Sequence, residues 1–518
     1  MPVFPLLQAS PFHPRANETL FCDILVVGDT LAAYTATLAI LQLGGRVCWV
    51  KPSAGAQIES ESRLMGPETM VADGLPWDCA VSRSQLQFWQ QQAQRQSPGQ
   101  GSHSLRHREN SSEGLVVAHP SGELAAMDSR GDAMARGRSK TIASPLDLQG
   151  LMFISPAVPV RVLYSQTAGK RRVYQVVFRE QRRGIPFRVH SGVTLDGTAG
   201  AALSTILTTD ASIPESTHVN LTPDHRHPHR PRGARGTCFA DSVGILRGEG
   251  RRSLAGAGLT PLQRRRQQPY RPMTLPLTAM IPIGVEGWLR MSQPATDPRW
   301  ETFWQQPTVQ WGLGESAGHA AVVATRTGQG FHTLSQDPRQ RGQMQVQLAR
   351  AGVPLFPFDD VGHDDPDFEA IQVLATVGIV CTMSDRDLHF RPRTPVTCAV
   401  VATALGRLFN WKTPQDTSLA AKVLGQVARS HWAWGYLAAA MVRDRPKGAI
   451  AAGSLKPMNA APFRPNQVLS RRELATWVRS HLPEGVPLPP IVEDDAPARR
   501  RHLSRLLYGL WRSHWDIR

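Results

Sequence analysis

Apolar residues along this chain gather in short runs, and the spacing of those runs outlines its elements. The first run, Ile24-Leu25-Val26-Val27, has the character of a buried strand and stops at Gly28. From Leu31 to Leu43 the chain is rich in Ala and Leu with no breaker, which predicts a helix closed by Gly44-Gly45. Arg46-Val47-Cys48-Trp49-Val50 is a second short apolar strand. A strand, a Gly turn, a helix and a strand within residues 22–52 make a βαβ unit. Residues 85–140 are polar and predict a partly helical excursion followed by a mobile loop. Order returns around residues 158–189. There Arg161-Val162-Leu163-Tyr164 and a run from Arg172 to Phe178 flank Gly169 and predict a hairpin or small meander. Gly192-Val193-Thr194-Leu195 is one more strand, running into Asp196-Gly197-Thr198.

Residues 208–272 hold the densest His, Arg and Pro, a composition that predicts a loop or disordered insert. Residues 273–284 resume an apolar pattern, and residues 309–327 predict a Gly turn with an Ala-rich helix. From Leu355 the texture changes and two segments echo each other. Phe390-Arg391-Pro392 in the first and Phe463-Arg464-Pro465 in the second each precede an apolar helical stretch.

Composition narrows the class. A chain of 518 residues allows about two to four domains. Its 6 cysteines, without CxxC spacing, exclude a disulfide scaffold and argue against a structural zinc site, so no metal is expected. The formal charge of +16 is compatible with an anionic partner. Its cations, however, are mostly Arg scattered through polar inserts, so nucleic acid is not the expected partner. No apolar run is long enough for a transmembrane helix. Residues 1–21 lack the basic and apolar regions of a signal peptide. The expectation is a cytoplasmic protein, with the cell envelope as the location if the true start lies upstream.

The βαβ unit is a candidate dinucleotide site. A Gly turn lets backbone N–H groups approach a pyrophosphate at a helix N-terminus. Here the turn reads Gly28-Asp29-Thr30-Leu31-Ala32-Ala33: Gly28 holds the first glycine position, Thr30 the second and Ala33 the third. Lys51 stands where the second strand would carry an acidic residue for ribose hydroxyls. The bland alternative is an ordinary βαβ unit.

The order of these elements resembles the FAD-dependent oxidoreductase family of the two-dinucleotide-binding-motif flavoprotein type. The resemblance spans residues 22–352. It implies an α/β fold, a Rossmann-like FAD-binding domain with a β-meander, and FAD as cofactor. Asp196 and Gly197 match the family's turn near the flavin. A strand from Leu275 to Pro282 matches its proline-flanked strand. Gly312, Gly314 and Gly318 match a helix start that points N–H groups at the flavin, and residues 337–352 match its short terminal helix. Residues 57–63 lack the family's glycine pair, and residues 288–310 replace its usual element before the last helix. No side chain stands out as a catalytic acid, base or redox cysteine, so the catalytic residues are unknown; in such enzymes the flavin does the chemistry.

The tail, at residues 355–409 and 427–483, resembles two S-layer homology repeats, which implies an α-helical repeat domain after the flavoprotein-type domain. Ser470-Arg471-Arg472-Glu473 is close to that module's TRAE signature. The resemblance implies cell-wall polysaccharide as a partner through Arg471 and Glu473; the alternative is a helical packing domain. Residues 484–518 read as a basic tail. His225, His227 and His229 read as a solvated basic loop, Arg264-Arg265-Arg266 as surface, and Trp432 and Trp434 as core aromatics. The leading function is an FAD-dependent oxidoreductase-like protein acting on an unknown small molecule. The alternative is a non-catalytic envelope or interaction protein on a degenerate flavoprotein scaffold.

Overall fold

The computed structural model describes residues 9–53, 81–96, 149–167, 170–199, 242–246, 273–292, 304–381, 388–414, 427–443, 464–482 and 486–515, with isolated positions at 79, 202–204, 206, 418, 421, 424 and 425. The glycine-pair region, Gly169, the three alternating histidines, the Arg264–Arg266 run and Phe463 lie outside the described residues.

The first βαβ unit forms as its pattern predicts: β1 (Thr19–Val27), α1 (Leu31–Gln42) and β2 (Val47–Val50). From Ile24 to Val27, strand β1 alternates between the two faces. Ile24 and Val26 join the core on one face of the sheet, while Leu25 and Val27 join a second core on the other. After α2 (Arg83–Gln96), strands β3 (Leu151–Ile154), β4 (Ala157–Thr167), β5 (Lys170–Glu180) and β6 (Pro186–Asp196) complete the main path of one sheet, ordered β3-β2-β1-β6-β5-β4. Strands β3, β2, β1 and β6 run parallel, whereas β4, β5 and β6 form an antiparallel meander. The result is a mixed α/β protein with a sheet dominated by parallel pairs around its centre.

Strand β6 changes partner along its length. Its first half pairs with β5, from Pro186 to His190. Beyond that, β10 (Trp288–Arg290) takes over beside Thr194–Asp196, and β9 (Val285–Glu286) pairs with β5. The register therefore brings Val27, Val50, Ile154, Asp196 and Arg290 to one edge.

The segment 208–272, expected as a loop or disordered insert, contains a strand. Within it, β7 (Ser242–Leu246) pairs antiparallel with β8 (Met273–Pro276). Val243 and Ile245 are buried, and the Ile245 N–H donates to the Pro354 carbonyl at 2.9 Å. A five-residue apolar alternation suffices for a strand once a partner and a covering helix are supplied, whatever the polarity around it. The expected strand at residues 275–282 is a strand only to Pro276; Leu277–Met280 is a 3₁₀ turn.

Helix α3 (Pro307–Thr327) lies on α1 across one face of the sheet, followed by α4 (Phe331–Gln336) and α5 (Pro338–Arg350). The tail adds α6 (Phe368–Thr376), α7 (Cys398–Leu408), α8 (Trp434–Arg443), α9 (Arg471–His481) and α10 (Arg500–Trp515). Residues 484–518, expected as a basic tail, instead hold α10. Its Leu503, Leu506, Leu507, Leu510 and Trp511 are buried at helical spacing, together with Arg500, whose guanidinium lies over the Phe390 ring. Three extended segments meet before α7, α9 and α10, through bridges Pro395 to Arg499, Thr397 to Val468 and Ser470 to Pro497. The core of this tail is continuous with that under α1 and α3. Trp434 is buried as expected, but Trp432 is 62% exposed. Among the described residues no helix is long and apolar enough to cross a membrane.

Candidate functional site at the carboxyl edge of the sheet

Ligands of open α/β sheets sit outside the carboxyl ends of the strands. Here that edge joins Gly28, Thr30 and Ala33 to Asp196 and Gly197. Gly28 has φ +144°, a conformation that side chains rarely adopt, and leads from β1 into α1. Its N–H donates to the Val50 carbonyl and its own carbonyl accepts from the Trp49 indole, both at 3.0 Å. Thr30 is the N-cap of α1, accepting from the Ala33 N–H at 3.4 Å, while its hydroxyl donates to the Gly197 carbonyl at 2.7 Å. The Gly197 N–H donates to the Val27 carbonyl at 2.7 Å. The two turns are therefore stitched together.

The fit is close enough to account for both glycines. A Cβ on Gly28 would stand 2.0 Å from the Gly197 oxygen, and one on Gly197 would stand 2.7 Å from the Ala33 Cβ. The wholly buried Ala32 occupies the second helical position, where a helix supplies no acceptor, and no hydrogen bond from its N–H is found among the described residues. That donor, together with the helix dipole, suits an anionic oxygen.

Asp196 is fully buried and holds its own turn. It accepts from the Thr198 N–H at 3.1 Å and hydroxyl at 2.6 Å, and from the Ser204 N–H at 2.8 Å and hydroxyl at 2.5 Å. Burial pushes its pKa up, and these four bonds oppose that rise by favouring the charge. Arg290, in register with Asp196 on β10, is a cation that sequence reasoning did not single out. Burial lowers its pKa, and the neighbouring Asp196 charge counters this. Ser292 and Gln310 extend the edge. The Ser292 hydroxyl donates to the Thr198 carbonyl at 2.5 Å, and the Gln310 amide donates to the Ser292 carbonyl at 2.9 Å and to the Trp304 carbonyl.

Lys51 follows β2 at this edge and is buried, with its backbone bridging to Ile154 and Ala157. Gly312, Gly314 and Gly318 do not join the site as expected. Gln306 caps α3 and Pro307 opens it, so all three glycines lie in the helix interior with their N–H groups turned to the helix's own carbonyls. Arg471 and Glu473 are also engaged within the fold. Arg471 pairs with Asp494 at 2.5 Å, and Glu473 closes a capping box with Ser470. Among the described residues no group of three or more His, Cys, Asp or Glu side chains could hold a metal.

A second polar group lies away from this edge. Glu315 and His319, one turn apart on α3, are 3% and 2% exposed and line a cavity of about 360 Å³. Burial pushes the Glu315 carboxyl up to about 6, against the hydroxyls of Ser82 and Ser84, and pushes the His319 imidazole down to about 4. Their four-residue spacing was visible in the sequence, within a helix read only for its glycines.

No family model matches the chain, and no curated protein matches it. Among solved structures, the THI4 protein of Thermovibrio ammonificans is similar at 9% identity and a TM-score of 0.27, over 59% of this chain and 90% of that one. A myxobacterial chondrochloren halogenase, a variant of FAD-dependent halogenases, is similar at 10% identity and a TM-score of 0.22, over 64% of this chain and 80% of that one.

Proposed function

We propose that the chain is an FAD-dependent oxidoreductase-like protein, with the dinucleotide seated at the carboxyl edge of the parallel strands. The observation that carries this reading is the joined pair of turns, Gly28–Ala33 and Asp196–Gly197, with the Ala32 N–H left for an anionic group at the start of α1. These residues would hold the pyrophosphate end of the cofactor, through the Ala32 N–H and the start of α1. A flavin bound there would supply the redox chemistry, and the chain would supply placement and electrostatics. Asp196 holds the turn in shape, and Arg290 sets a positive charge beside it.

The ribose end does not fit. Lys51 can only donate hydrogen bonds, where a carboxylate would accept them from both hydroxyls. This favours the second reading, a non-catalytic protein on a flavoprotein-type scaffold. The same reading is favoured by the motif glycines. The space beside Gly28 is filled by Gly197, and that beside Gly314 and Gly318 by α1.

One measurement separates the two readings. The full chain, purified without added cofactor and again after incubation with FAD, is scanned for flavin absorbance, and any released cofactor is identified by mass. Stoichiometric flavin in either sample supports the enzyme reading. Its absence from both leaves the scaffold reading.

A further inference from the structure

We propose that the cavity between α1, α2, α3 and α5 is a second small-molecule site, built on Glu315 and His319 for a primary ammonium ligand. It does not depend on flavin binding, because it lies on the helix-covered face by the C-terminal end of α1, whereas the dinucleotide edge lies at that helix's N-terminal end.

The fold buries polar atoms around this cavity without satisfying them. Ser84 donates to Glu315 Oε1 at 2.7 Å and accepts from the Trp311 indole N–H at 2.8 Å, which fixes the direction of the hydroxyl and leaves that carboxylate oxygen an acceptor. The Ser82 hydroxyl lies 3.2 Å from that of Ser84 and also favours the charged form of Glu315. Glu315 Oε2, His319 Nδ1 and Gln347 Oε1 are all buried with no hydrogen-bond partner among the described residues. All three residues line the one cavity. A buried polar atom without a partner is unusual in a native protein and calls for an explanation such as a ligand or water.

The donor set indicates the class of ligand. Glu315 Oε2 and Gln347 Oε1 accept, and a neutral imidazole nitrogen accepts when its proton is on the other nitrogen. Three acceptors suit an ammonium, which carries three donors. The cations at the rim do not take over that role. Arg350 is paired with Glu369 at 3.0 Å, and Arg83 donates to the His363 carbonyl at 2.6 Å and to the Arg350 carbonyl at 3.4 Å. The volume is within the range of small-molecule pockets.

The test uses the full chain at neutral pH and isothermal titration with n-butylammonium. Tetramethylammonium, a cation with no donor, and 1-butanol, a chain with no charge, serve as controls. The expected result is saturable one-site binding of n-butylammonium alone, weakened roughly tenfold or more by Glu315→Gln, the loss of one charged contact. Gln87→Trp, at an exposed residue on the cavity lining and outside the buried pair, is expected to fill the cavity and abolish binding. Flavin content, measured on the same samples, is expected to stay the same in both variants. Absence of saturable binding in the unmodified chain would overturn the proposal and leave the cavity to water. So would equal affinity in both variants, or equal binding of tetramethylammonium.

Discussion

A Cβ on Gly314 would stand 2.1 Å from the carbonyl oxygen of Ala32, so α3 rests directly on the backbone of α1. One turn further on, a Cβ on Gly318 would stand 2.7 Å from the Ala36 oxygen. Two glycines four residues apart thus make a flat strip on α3, matched by Ala32, Ala36 and Ala39 on α1. Gly314→Ala should therefore destabilise the protein by about 1–3 kcal/mol or more through overpacking, although Ala gains about 1 kcal/mol in helix propensity. Chemical denaturation of the variant checks this. A neutral or stabilising result would mean that the helices separate more freely than the structure shows.

Gly28 is predicted to be intolerant of any side chain, for a reason unrelated to cofactor. Both its φ of +144° and the Gly197 oxygen at 2.0 Å oppose a Cβ. Gly28→Ala is expected to lower thermal stability as well as any flavin content. If the variant melts like the unmodified chain, the two turns are not joined as described.

Glu315 and His319 should give the protein opposing responses to acid. The Glu315 carboxyl is raised from 4.5 to about 6, so folding holds its proton more tightly. Stability from this group falls as pH rises from about 4.5 to about 6, by about 2 kcal/mol. The His319 imidazole is lowered from 6.5 to about 4, so the unfolded chain protonates first. Its contribution is lost as pH falls from about 6.5 to about 4, by about 3 kcal/mol. Glu315→Gln removes the offset. The variant should be more stable at neutral pH and lose stability more steeply on acidification. Denaturation midpoints across this window check it, and superimposable profiles would contradict it.

In the tail, Ser470 and Glu473 cap α9 reciprocally, with the Ser470 N–H donating to Glu473 at 2.6 Å and the Glu473 N–H to Ser470 at 3.1 Å. Ser470→Ala should cost about 1 kcal/mol. Arg471→Ala should cost no more than about 1 kcal/mol, because its pair with Asp494 is partly exposed. Thermal melts of the two variants rank them. A larger loss from Arg471 would show that the ion pair, and not the cap, holds α9 to the segment before α10.

The local elements are legible in the order of residues alone. The apolar run ending at Gly28, the Ala-rich stretch after it and the second short strand form the βαβ unit as their pattern predicts, and the turn at Asp196–Gly197 closes β6 as expected. These follow from period, breakers and capping, which act over a few residues. How residues far apart use one another follows from packing. Gly312, Gly314 and Gly318 carry a turn-like spacing, yet Pro307 opens the helix before them and α1 fills the space beside the last two. The Ser242–Leu246 strand needed β8 to pair with, and α10 needed a core to cover its apolar stripe. Glu315 and His319 were legible as a helical pair, but the burial of Glu315 Oε2 and His319 Nδ1 depends on α1, α2 and α5 closing around them. A glycine or a carboxylate has one local chemistry and several long-range uses, and the packing selects among them.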